Sequence, residues 1–270
     1  CCIVASLLAS DPKKNDHFGR RLQGGLYDIF QRQREEAVEP VVKEDVAEVL
    51  RRRFFTPQSL QGQEKFRPHV QAALKGIFAL DAQTARQGAE AEERFLKSYP
   101  FHPDLTEVFY TKWTSLDRFQ KARGVLRTFA LGLREAEKWD HGPLVGTGVF
   151  ITDPKKEGIS EALRELVTVA DTEEHEGQKQ AWTGILEGEL RRAQDIQRDS
   201  MGLSFREIEK AVISVFLHSQ PIGMNVQARD LLVLLGDTRP DRIELEKALV
   251  RWAQVSFWLD DQHSGRVDGT

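Results

Sequence analysis

The sequence predicts a mainly α-helical protein that opens on the last buried strand of an α/β core and closes on a compact three-helix segment. Three observations predict it: an unbroken apolar run at residues 1–9, amphipathic helical periodicity from Lys43 onward, and three closely spaced helical segments between 205 and 256. At 270 residues, 40% hydrophobic, 30% charged and with a formal net charge of −4, the chain has material for about one to three packed domains. Disorder and collagen-like structure are excluded. No apolar run approaches the roughly 20 residues of a spanning helix, so no membrane contact is expected. No basic segment precedes the first run to make it a signal peptide, and the chain reads as cytoplasmic. The 2 cysteines are Cys1 and Cys2, adjacent and unable to bridge without strain, so neither a disulfide framework nor a Cys/His zinc spacing exists. The slightly acidic balance, 38 Lys+Arg against 42 Asp+Glu, gives no global attraction to nucleic acid.

Residues 1–9, Cys-Cys-Ile-Val-Ala-Ser-Leu-Leu-Ala, lack the alternation of a half-exposed strand and stop at Ser10-Asp11-Pro12. That is the pattern of a central parallel strand covered on both faces. Its neighbours are scarce: residues 38–42 are interrupted by Pro40, and residues 144–152 lie far downstream. The chain is therefore expected to be the C-terminal portion of a longer protein. A helix over residues 43–55 places Val46, Val49, Leu50 and Phe54 on one face, with acids in its first turn and Arg51-Arg52-Arg53 in its last, as the helix dipole favours. A second begins after Phe101-His102, with Pro103 at its first position and Leu105, Val108 and Phe109 inward. A third, residues 119–139, carries Phe119, Ala122, Leu126, Phe129, Ala130, Leu133 and Ala136 as its apolar stripe, with Arg123, Arg127 and Arg134 on one shoulder.

Residues 61–96 are polar, alanine-rich and helical. After His141-Gly142-Pro143 come a short strand at 144–152, helices at 159–170 and 181–193, then helices at 205–219, 227–235 and 242–256. Phe257-Trp258-Leu259 and Asp260-Asp261 follow as strand and turn, completing the order of a winged helix.

Phosphate chemistry usually shows itself as G-x-x-x-x-G-K-[ST], and no such run exists here. Gly24-Gly25 is followed by neither lysine nor hydroxyl, so the chain cannot cradle a nucleotide alone. Three features still suit a nucleotide hydrolase. Ser6, or else Ser10, puts a hydroxyl near the end of the buried strand. Arg32 and Arg34 follow it, where an arginine can complete a neighbouring subunit's site. Arg123 stands beside Gly124, which costs about 1 kcal/mol inside a helix unless a close backbone approach repays it. Each has a plain structural reading: a tolerated serine, surface arginines, and an arginine stem lying over the core.

The run Tyr99-Pro100-Phe101-His102-Pro103-Asp104-Leu105, then Trp113, then Phe119-Gln120-Lys121-Ala122-Arg123-Gly124-Val125-Leu126-Arg127 resembles the helical lid of an AAA+ ATPase family, the domain of unknown function four-nine-nine, often found among anti-phage defence genes. The resemblance implies residues 1–43 as the end of a P-loop NTPase α/β core, 44–143 as the lid, 144–203 as a helical connector and 204–270 as a winged-helix-like domain. It implies Ser6 at the sensor-one position, Arg32 or Arg34 as arginine finger, and Arg123 as the sensor-two arginine that contacts ATP. A serine at sensor one departs from the asparagine of many relatives, and Walker A and Walker B are absent. ATP and Mg2+ would be bound mainly by residues upstream. A homo-oligomer or a defence-system protein would be the partner.

Nucleic-acid contact is expected to be weak. In the last helix Arg242, Lys247 and Arg251 are interleaved with Asp241, Glu244 and Glu246, which favours a protein partner or non-specific DNA contact over base readout. The competing function is a non-enzymatic helical adaptor that binds protein or nucleic acid without nucleotide.

Overall fold

The computed structural model describes Arg21 and residues 46–116, 119, 121–171, 174–175, 178–179, 181–220 and 226–259. The chain divides into two compact units, Cys1–Val42 and Lys43–Thr270. Every described residue except Arg21 belongs to the second. The strand at 1–9 with Ser6 and Ser10, the segment 38–42, Arg32, Arg34 and Asp260-Asp261 lie outside the described residues.

The second unit is mainly helical. Its α-helices are α1 Val46–Phe54, α2 Arg67–Leu80, α3 Ala82–Gln87, α4 Ala89–Ser98, α5 Pro103–Thr111, α6 Lys121–Ala136, α7 Glu161–Ala170, α8 Trp182–Arg198, α9 Glu207–His218, α10 Ala228–Leu235 and α11 Arg242–Val255. Short 3-10 turns occupy Trp113–Ser115, Thr147–Phe150 and Gly236–Thr238. Among the described residues the strands are a two-residue antiparallel pair, β1 Glu174–His175 with β2 Gln178–Lys179, and a parallel bridge joins Phe101 to Val145.

Local chemistry sets the helix starts. His102 caps α5 by accepting from Asp104 N, and Pro103 supplies the fixed φ of a first helical residue. Its buried face is Leu105, Thr106, Val108 and Phe109. Ser160 caps α7 through Leu163 N, and Asp241 caps α11 through Glu244 N. Asp81 ends α2 and caps α3, accepting from Thr84 N and from Arg229 of α10. Burial alone would raise its carboxyl, but the Thr84 and Arg229 bonds hold it below the ordinary carboxylate range.

The core has two centres. Phe109, Phe129, Phe150 and Trp113 meet edge-on or tilted, with ring centroids 5.1 Å apart for Phe109–Phe129 and 5.9 Å for Phe109–Trp113. The Trp113 indole donates to Leu217 O at 3.0 Å, tying this centre to α9. The other centre gathers Val70, Leu74 and Ile77 of α2, Phe95 of α4 and Val233 of α10. Between them runs α9, all of whose residues from Glu207 to His218 are buried. It packs against α5, α8, α10, α11 and the Thr147–Phe150 turn.

Three sequence expectations are corrected. Residues 144–152 form no continuous strand: Val145 makes one bridge and Thr147–Phe150 is a 3-10 turn plugged between α6 and α9. The Thr147 hydroxyl donates to Lys210 O, so the apolar run is held by contacts to helices instead of a sheet. The stripe of α6 is rotated. Val125, Thr128, Phe129, Gly132 and Ala136 are buried, whereas Ala130 is exposed and Leu126 and Leu133 half-buried. The cause is Gly132, whose missing side chain lets Val149 O approach to 2.8 Å of where a Cβ would stand. Phe257, Trp258 and Leu259 form a bend, so the described residues after α11 hold no wing strand.

Candidate functional site

Arg123 lies in the first turn of α6 and is exposed. The three shoulder arginines point along α7, but their fates differ. Arg134 Nη2 donates to Glu161 Oε2 at 3.0 Å, and Arg127 Nη2 to Glu165 Oε1 at 2.8 Å. The partner numbers rise as the arginine numbers fall, so α7 runs antiparallel to α6 at this seam. One step beyond Glu165 the chain offers Val169, not an acid. Arg123 therefore has no ion pair among the described residues. It faces a hollow of about 250 Å³ lined also by Gly124, Arg127, Thr128, Glu165 and Val169.

Gly124 has a different cause from the one the sequence suggested. A Cβ there would stand 1.8 Å from Phe119 O, so the close backbone approach is made by the chain's own preceding turn. Its glycine gives no separate support to a phosphate. The arginine run at the end of α1 is likewise structural in part. Arg51 is buried and donates to Tyr99 O at 3.3 Å, and Arg52 Nε donates to Glu48 Oε1 at 2.7 Å. Ser6, Arg32 and Arg34 lie outside the described residues, so the geometry joins none of them to Arg123.

The hollow is small and open. At about 250 Å³ it falls below the roughly 300–1,000 Å³ of a small-molecule pocket, and its polar wall is two guanidiniums, a carboxylate and a hydroxyl. Of its two guanidiniums Arg127 is held by Glu165, and Arg123 has no carboxylate partner among the described residues. Among the described residues no group of three or more His, Cys, Asp or Glu side chains could hold a metal ion, so they supply no ligand set for Mg2+.

A second polar centre was missed in the sequence. Lys210 of α9 is only 5% exposed, yet its ammonium makes no ion pair among the described residues; it stands 5.9 Å from the Phe205 ring centroid. Gly142 and Gly148 close over it. A Cβ at Gly148 would lie 2.9 Å from both Lys210 Cε and Asp140 Oδ2. Behind it sit Asp237, 5% exposed, and His102, fully enclosed. Burial raises the Asp237 carboxyl, opposed by the nearby Lys210 and His102. Burial lowers the His102 imidazole, whose Nε2 lies 3.3 Å from Val233 O while Nδ1 accepts from Asp104 N at 3.2 Å. Those two bonds assign the neutral ring with its proton on Nε2. The glycines at 142 and 148 were the available signal, but Gly142 read as a turn residue and Gly148 as part of the strand at 144–152, because their partner Lys210 lies some sixty positions away. Asp140 also lines a broad open cleft of about 1140 Å³ beside Trp139, Phe205, Arg191 and Lys155. Cations and carboxylates are mixed along it, so it favours neither sign of ligand.

No family model, curated protein or solved structure matches the chain.

Proposed function

We propose that this chain is the C-terminal part of an AAA+ ATPase acting in anti-phage defence, with the helical lid at 44–143, and that Arg123 is the lid's contact with the phosphates of ATP. The observation that carries this reading is the inequality of the shoulder arginines: Arg127 and Arg134 are occupied by α7 carboxylates, and Arg123 is left exposed without one. Its support in sequence is the resemblance of residues 99–127, the segment that forms α5, the Trp113 turn and the start of α6. The phosphate-wrapping loop and the Mg2+ ligands belong to a P-loop core outside the described residues.

In this reading the residues of the chain do three things. Arg123 stabilises charge on the phosphate oxygens through the planar donor fork of its guanidinium. Packing of α6 on α7 carries the arginine as part of one body, to which the exposed Arg127–Glu165 and Arg134–Glu161 pairs add about 0–1 kcal/mol each. Loss of the terminal phosphate then releases Arg123 and alters the angle of the lid. The last helices follow as passengers. The α11 cations suit a protein partner better than DNA, because Arg242 is held by Glu246, Lys247 by Glu244, and Arg251 donates to Ser200.

The test compares Arg123→Ala with Arg127→Ala in the protein that joins this chain to its P-loop core. ATP turnover is expected to fall by roughly a hundredfold for Arg123→Ala and to change less than about threefold for Arg127→Ala, with helicity retained in both. A non-enzymatic adaptor requires that neither variant alter nucleotide turnover.

A further inference from the structure

The outer face of α11 carries two apolar side chains among its polar ones. Leu245, Ala248 and Trp252 are buried against the rest of the unit, so the opposite pole of the helix should be polar. Instead it carries Ile243, 63% exposed, and Val250, 47% exposed. Nine residues separate Ile243 from Trp252, two and a half turns, so the two point in opposite directions. Seven separate Ile243 from Val250, which therefore stand within about 20° of each other. Exposed Phe257, just past the helix end, belongs to the other side: its ring lies under the Arg192 guanidinium of α8 at 4.3 Å and its N–H donates to Glu189.

The charges beside this stripe have an order. On one flank are Arg242 and Glu246, joined at 2.8 Å; on the other are Glu244 and Lys247, joined at 3.0 Å. One flank thus reads plus then minus along the helix, and the other minus then plus. We infer that this face is a homodimer interface in which α11 pairs in parallel with α11 of a second copy about a two-fold axis. A parallel two-fold sets each flank against the opposite flank of its mate. Arg242 then faces the partner's Glu244, two residues apart in height, and Glu246 faces the partner's Lys247, one residue apart. Ile243 and Val250 lie on the axis, each against its own counterpart. Antiparallel pairing centred on Val250 loses this match, because it brings Lys247 toward the partner's Arg251. A DNA surface fits poorly too, since each flank cation already has a carboxylate beside it.

The experiment is mass measurement by light scattering and sedimentation on the full chain, together with a cysteine cross-link. The unsubstituted chain is expected to reach twice the monomer mass at micromolar concentration. Val250→Glu, at an outward position, should raise the dimer dissociation constant at least a hundredfold with an unchanged helical spectrum. Glu246→Lys should weaken the dimer at least tenfold, and adding Lys247→Glu should restore it. In a background with Cys1 and Cys2 replaced by Ser, Ile243→Cys should cross-link to itself on oxidation, as parallel pairing allows and antiparallel pairing centred on Val250 does not. A chain that stays monomeric, a dimer indifferent to Val250→Glu, or a dimer that fails to cross-link through Ile243→Cys overturns the inference.

Discussion

His102 shows how one side chain can hold two helices. As the cap of α5 it accepts from Asp104 N, and its other nitrogen reaches Val233 O at the end of α10. Burial holds His102 and also His218 below their ordinary value of 6.5. The unfolded chain therefore takes up protons that the folded chain resists. Stability from this source is complete above about pH 6.5 and declines as pH falls toward the folded values. Asp237 acts in the opposite sense: raised by burial, it favours the folded state in acid and stops doing so as pH rises through its folded value. Urea midpoints measured between about pH 7.5 and 5 should fall on acidification, and less steeply in His102→Asn; equal slopes would contradict the assignment. Glycines give a sharper contrast. Gly124→Ala drives a methyl toward Phe119 O and should cost about 1–3 kcal/mol, whereas Gly184→Ala on α8 meets nothing within 4 Å and should stabilise by about 0.5–1 kcal/mol. Thermal unfolding of the two variants reads both signs.

Helix boundaries were legible where one residue decides them, as Pro103 after His102 does for α5. The phase of a helix was less so. Ala130 and Leu133 extend a good periodic stripe on α6, but the buried face is chosen by where the Thr147–Phe150 turn can approach Gly132. That contact is not written in local periodicity. The segment 144–152 misled for a related reason, since apolar residues bracketed by glycines serve a buried turn as well as a strand. Between elements, Glu189 of α8 is the clearest joint. It is 1% exposed and accepts from Trp252 Nε1 at 2.8 Å, Phe257 N at 3.1 Å and Arg192 at 3.0 Å. Glu189→Ala leaves the indole and amide donors without a buried acceptor and should destabilise by about 2–4 kcal/mol; Glu189→Gln, which keeps an acceptor, should cost less than half of that. Chemical denaturation of the pair checks the ratio.

At the scale of the molecule, the central place of α9 was the hardest feature to foresee. Glu207, Glu209, Lys210 and His218 are residue types expected at a surface, yet all are buried, and neighbours meet the polar atoms of Glu207, Glu209 and His218. Arg206 grips Glu209, Gln197 donates to Glu207, and His218 Nδ1 donates to Ser214 O. The site was legible to a different degree. The exposed Arg123 follows from its place on the helix shoulder, while its isolation depends on α7 ending its row of acids at Glu165, a register that needs the packed helices. ATP turnover by the Arg123→Ala variant, measured in a protein that joins this chain to the proposed P-loop core, tests the proposed role of Arg123 most directly. The account predicts roughly a hundredfold loss with folding intact, while Arg127→Ala stays near the parent rate. Equal rates for Arg123→Ala and the parent would contradict it.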